Sequence, residues 1–254
     1  MAGRVSLVAL EGILEAKPGD DLAALIAAAL DAGDTPPAPR DIFVVAQKVV
    51  SKAEDRFVDL AAVQPSPRAR ELAAAADKDP RLVEVILCES DEVLRVKPGV
   101  IVVAHRLGFV MANAGIDRSN LGPEGKNRVL LLPRDPDATA ETLRRKLEAR
   151  YAMPFGVIVS DSFGRAWRNG VVNVALGAAG LPALIDARGR QDRDGRTLEV
   201  TQIAFADAVA AGAALVMGEG EEGTPVVLVR GAIPDAPALA AAALIRPKAE
   251  DLFR

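Results

Sequence analysis

The chain has 254 residues, 50% hydrophobic and 26% charged, enough apolar material for a substantial core, which excludes a disordered tail or a disulfide-stapled miniprotein. Its 31 Lys and Arg against 35 Asp and Glu leave a formal charge of −4 with no basic stripe to follow a phosphate backbone, so no nucleic-acid partner is expected. One cysteine, Cys88, and one histidine, His105, exclude an internal disulfide, a thiolate zinc cluster and a single-chain site built on several imidazoles.

Arg4–Leu10 alternates as a strand, and Asp20-Asp21 open an alanine- and leucine-rich helix that stops near Gly33. Asp41–Ala46 reads as a buried strand running into Gln47-Lys48, with a polar turn at Ser51–Arg56. Ser66-Pro67 and Asp79-Pro80 each set a capping side chain before a first-turn proline, predicting helices at 67–76 and 80–90, the second with Cys88 in its apolar face. Short runs at Val93–Val96, Val100–Ala104, Phe109–Ala112 and Val129–Leu132 predict a mixed, largely antiparallel sheet. Asp135–Arg150 is a helix with acids early and bases late. Phe155–Ser160 is a second buried strand, expected to end abruptly at Asp161. Thr201–Met217 reads as a long helix packed through small residues, Pro225–Arg230 as a final strand and Pro237–Leu244 as a final helix.

The longest apolar runs, Leu22–Leu30 and Ala208–Gly218, fall short of the roughly 18 residues of a membrane span. The apolar stretch near the N-terminus is too short for a signal-peptide core, so a cytoplasmic protein without a membrane partner is expected. There is no internal repeat and no long linker; 1–254 is read as one catalytic unit, although the length also permits two lobes and nothing marks a boundary.

Acids recur in polar, glycine-bearing breaks: Asp117, Asp161 beside Ser162, and Glu219 after the long helix. Hard divalent cations take carboxylate, hydroxyl and phosphate oxygens, which suits a chain poor in histidine and cysteine. Any one of these acids alone is better explained as a turn cap; three in separate breaks make a shared site the more attractive reading. Gln47-Lys48-Val49-Val50-Ser51-Lys52 sets two lysines four apart with amide and hydroxyl donors between them, an arrangement suited to phosphate oxygens, although a lysine pair in isolation is more often a solvated turn. There is no Walker A pattern. Arg165 and Arg168 follow Asp161 closely enough to clamp a carboxylate or phosphate at the same mouth, with Trp167 between them. His105 is read as structural.

Five ordered segments, QKVVSKAE (47–54), NAGIDRSN (113–120), DSFGRAWRNG (161–170), GRQDRDGRTLEVT (189–201) and MGEGEEGTPVVLVRG (217–231), are together far more specific than any one motif. Through them the chain resembles the coenzyme F-420 γ-glutamyl ligases over nearly its whole length. The resemblance implies an α+β fold of mixed, largely antiparallel sheets with packed helices, assembled as an intertwined homodimer. It implies GTP-dependent addition of L-glutamate to the zero-glutamate deazaflavin precursor through an acyl phosphate, with two divalent ions, Mg2+ or Mn2+, and K+ as a further candidate ion. Carried over by position, Asp117, Asp161, Ser162 and Glu219 are metal ligands, and Lys52, Asp161 and Arg165 are assigned to catalysis. The nucleotide contacts so implied are Glu11, Gly12, Ile13, Leu14, Gln47, Lys48, Lys52, Asn120 and the run Leu215, Val216, Met217, Gly218, Glu219, Gly220, Glu221 and Glu222. Asp55 stands where the family commonly has glycine, and Ser162 where threonine is frequent. The Asp186–Arg196 loop, with Arg188 and Arg190, is an unassigned candidate contact for the deazaflavin phosphodiester. The alternatives are a related ligase with a changed acceptor and a non-catalytic nucleotide-binding protein.

Overall fold

A computed structural model of the chain describes residues 3–13, 15–119, 121 and 127–251. Twelve strands and six α-helices make it a mixed α+β structure among the described residues. Strands β1 (Ser6–Ala9), β2 (Ile42–Ala46), β8 (Gly156–Arg165), β9 (Arg168–Ala179) and β12 (Val226–Arg230) form the largest sheet, in the order β1-β12-β2-β8-β9. Only the β2–β8 pair is parallel. Its central strands are apolar on both faces because both are covered. One face packs Phe43, Val45, Val157 and Leu228 against α1 (Leu22–Ala32) and α5 (Pro136–Tyr151); the other packs Ile42, Val44, Ile158 and Val229 against α6 (Phe205–Met217).

The remaining strands are short and antiparallel. They are β3 (Phe57–Asp59) with β7 (Arg128–Leu130), β4 (Ser90–Lys97) with β5 (Val100–His105) and β6 (Val110–Ala112), and β10 (Leu184–Asp186) with β11 (Gln202–Ala204). Helices α3 (Pro67–Ala76) and α4 (Pro80–Cys88) begin where Ser66 and Asp79 cap them, each with proline in the first turn. With β5 and β7 they bury a separate apolar cluster around Val83, Ile86, Ile101 and Val129.

Five expectations are corrected. The lysine-bearing segment is not a turn but helix α2 (Gln47–Ala53), which places Lys48 and Lys52 one helical turn apart on one face. Asp55, just past its end, adopts the left-handed conformation (φ 51°), which explains why glycine suits that position. Strand β8 does not stop at Asp161; it runs on to Arg165 because β9 pairs with it as far as Arg168. The segment 237–244 holds only a 3₁₀ turn at Ala241–Leu244, since Leu239 exchanges backbone hydrogen bonds with Leu181 and Ala183 and so stays extended. Residues Gln202–Ala204 pair as β11 instead of starting α6. Cys88 is exposed, because the buried stripe of α4 is Leu82, Val83, Val85 and Ile86 and the last residue lies off it.

A charged knot joins α4, the β5–β6 connection and the residues after α2. Glu89 accepts from Arg56 (2.9 Å) and Arg106 (3.1 Å) and lies 3.6 Å from Nε2 of the buried His105, whose Nδ1 accepts from the Leu107 amide. Burial works to raise the Glu89 carboxyl, but His105 and the two guanidinium groups outweigh it and hold the group at about 2, below its ordinary 4.5. A carboxyl lowered in the folded state adds stability that is fully present above 4.5 and is lost as pH falls from 4.5 toward 2. Glu89→Gln is therefore expected to cost about 2–3 kcal/mol near neutral pH, with the gap to wild type closing at the acid end. Denaturant titrations of both proteins between pH 7 and pH 2.5 check this, and a pH-independent gap would remove the charge from the account.

Candidate active site

Beyond Ala46, β2 gives way to α2 while β8 continues, so the outer half of β8 has a strand neighbour on one side only. A cleft of about 1190 Å³ opens there. Helix α2 contributes one wall, the 113–119 segment another, and the loop after α6 a third.

On the α2 wall, Lys48 Nζ lies 2.8 Å from Asp117 and donates to Ser119 Oγ, also at 2.8 Å. Asp117 Oδ1 accepts in addition from the amide and hydroxyl of Ser119, each at 2.7 Å. Burial works to raise the Asp117 carboxyl, yet Lys48 and Ser119 together hold it below its ordinary value. One turn along, the buried Lys52 donates to Glu15 at 2.8 Å, which lowers the Glu15 carboxyl. Gln47 is buried and accepts from Ser51 within the helix.

Asp161 sits on β8 opposite Val174. Burial foremost, and then the nearby charges of Asp117 and Glu219, push its carboxyl up to about 7 against the opposing effects of the Ser162 amide and Lys48. The three acids taken from separate stretches of sequence therefore share one electrostatic neighbourhood.

Of the residues expected at the site, Ile13, Gln47, Lys48, Lys52, Asp117, Asp161, Ser162, Arg165, Met217, Gly218, Glu219, Gly220 and Glu222 line this cleft. Glu11, Gly12, Leu215, Val216 and Glu221 do not, and Leu215 points outward, 82% exposed. Leu14 and Asn120 lie outside the described residues. Arg168 joins the lining, whereas Trp167 stands at the hairpin tip. Arg188 is exposed and paired with Asp186. Glu15, Ser119, Ser160 and Asn173 line the cleft without having been expected there. Glu15 reaches Lys52 across 37 positions, a pairing that no local spacing signals.

The oxygen-rich donor set fits a hard cation in its chemistry. Among the described residues, no group of three or more Asp, Glu, His or Cys side chains is gathered closely enough to enclose a metal ion.

The model of the F420-0:Gamma-glutamyl ligase family matches residues 12–231, a span that includes every wall of the cleft. The chain belongs to this family. A coenzyme F420:L-glutamate ligase of Methanopyrus kandleri is 45% identical to it over 99% of this chain and 97% of the relative. Those of Methanothermobacter thermautotrophicus and Methanocaldococcus jannaschii are 46% and 42% identical, over 89% and 84% of each chain respectively. In this member of the family, Lys48, Lys52, Asp117 and Asp161, brought from three separated segments, face one cavity. No helix among its described residues is long and apolar enough to cross a membrane.

Proposed function

We propose that the chain forms an amide bond between L-glutamate and the zero-glutamate form of deazaflavin coenzyme F-420, using GTP to activate the acceptor carboxylate. The observation that carries this reading is the facing of two helix-borne lysines and two strand- and loop-borne acids across one cleft in a member of the γ-glutamyl ligase family.

In the first step an acceptor carboxylate oxygen bonds to the γ-phosphorus, the bond to the β-phosphate oxygen breaks, and GDP leaves. In the second, the glutamate nitrogen bonds to the acyl carbon, phosphate departs with the electrons of the C–O bond, and the proton lost by the nitrogen passes to the departing phosphate. Lys48 and Lys52 would position the phosphates as compact point charges, and Arg165 would hold the transferring group at the mouth of the cleft. No protein nucleophile is needed. Asp117, Asp161, Ser162 and Glu219 would hold two divalent cations, Mg2+ or Mn2+, which when bound offset the charge of the phosphates. Attack by the amine requires water to be kept from the acyl phosphate, a task for the apolar lining of Met111, Phe163 and Met217.

Mass spectrometry of the deazaflavin after incubation with L-glutamate, GTP and Mn2+ tests the reading, with ATP and metal-free controls. A gain of glutamyl mass only with GTP and metal is the expected result. No gain from a folded protein that binds GTP would point to another acceptor.

A further inference from the structure

Three buried side-chain polar atoms lack a hydrogen-bond partner among the described residues, and two of them, Ser160 Oγ and Asn173 Oδ1, belong to residues lining this cleft. Ser160 is 1% exposed and Asn173 4%. A buried oxygen left unpaired is costly to the fold, so two at one site mark a place where something else completes the hydrogen bonding.

The β8–β9 register locates them. Ser162 lies opposite Asn173 and Ser160 opposite Ala175, so Ser160, Ser162 and Asn173 share one face of the hairpin. Asp161, opposite Val174, projects from the other face. The Asn173 Nδ2 group donates to Met217 Sδ at 3.9 Å, which turns the amide oxygen away from α6.

The chemistry of the missing partner follows from that of the two oxygens. Phosphate oxygens are acceptors: the Ser160 hydroxyl could donate to one, but the Asn173 amide oxygen, itself an acceptor only, cannot be satisfied that way. A divalent cation draws first on carboxylates, and neither of these two groups is one. Neutral amide and hydroxyl oxygens suit an N–H donor. We propose that Ser160 and Asn173 receive the amino group of the attacking amino acid, an inference that rests on the ligase reading above. Their position beside Asp161 and Ser162 is the end of the cleft where phosphoryl transfer is placed. A nitrogen held there has its lone pair near the acyl carbon once its proton is lost. Guanine also carries N–H donors, but it occupies the far end of the nucleotide from the transferred group.

Ser160→Ala and Asn173→Leu test the assignment, with Asn173→Ser carrying the second position should the leucine variant fail to fold. Each is expected to raise KM for glutamate about tenfold or more. KM for GTP should stay within about twofold, and Mn2+ affinity, read by electron paramagnetic resonance with Mn2+ alone, should be unchanged. The melting temperature should hold or rise, since no existing bond of either oxygen is lost. An unchanged KM for glutamate overturns the inference. So does a rise confined to KM for GTP, which would assign the oxygens to the base, or a loss of Mn2+ affinity, which would make them metal ligands. A fall in melting temperature with kinetics intact would make them merely structural. Wild-type protein that ligates nothing overturns the ligase reading and this inference together, whereas a ligating wild type with unmoved variants overturns the inference alone.

Discussion

Asp161→Asn is expected to lower the rate of glutamate ligation by on the order of 10³-fold while the protein stays folded. Position 161 lies where β8 has outrun β2, and its backbone pairs with β9 whatever the side chain. Burial, and then crowding by Asp117 and Glu219, hold the carboxyl up at about 7, so replacing it with a neutral amide of the same shape relieves desolvation and repulsion instead of removing a stabilising contact. The melting temperature in metal-free buffer at pH 8 should therefore be no lower than that of wild type. Steady-state ligation beside a thermal scan checks both halves of the expectation. Activity within about tenfold of wild type would take Asp161 out of the mechanism.

Gly177→Ala carries the largest expected loss of stability, about 4 kcal/mol or more. A β-carbon there would stand 2.1 Å from the Pro136 carbonyl oxygen, 2.2 Å from its carbon and 2.7 Å from the Asp137 nitrogen, all of them backbone atoms in the first turn of α5. That turn is fastened in place. Asp137 accepts from the backbone amides of Ala178 and Ala241, both at 2.8 Å, and of Ala242 at 3.1 Å, so α5 cannot yield without loosening β9 and the chain after it. Chemical denaturation gives the number directly. A variant that melts within about 2 °C of wild type would mean that the helix can slide.

The fold was legible wherever local chemistry decides it. The proline and capping pairs at 66–67 and 79–80 placed α3 and α4 to within two residues, β2 and β12 followed from hydrophobic runs bounded by polar breaks, and α5 from its acids early and bases late. What could not be read was decided by partners distant in sequence. Asp161 to Arg165 are strand because β9 lies alongside, and residues 237–240 are not helix because Leu181 and Ala183 hold Leu239 extended. At the site, the lysine pair, Asp117, Asp161, Ser162 and Glu219 were visible as residue types in glycine-bearing or strand-end contexts. Glu15, Ser160 and Asn173 were not, since each sits in a stretch whose apolar neighbours dominate the pattern.

The overhang of β8 also bears on how such a site can change over time. Past Ser160 the strand has β9 on one side and the cleft on the other, so the peptide groups of that edge have no strand to bond to. A ligand that reaches them meets hydrogen-bonding groups common to every amino acid but proline, which no point substitution short of proline deletes. Drift in the surrounding side chains can then retune which acceptor is taken, while a fixed main-chain ledge underneath keeps the reacting end in register.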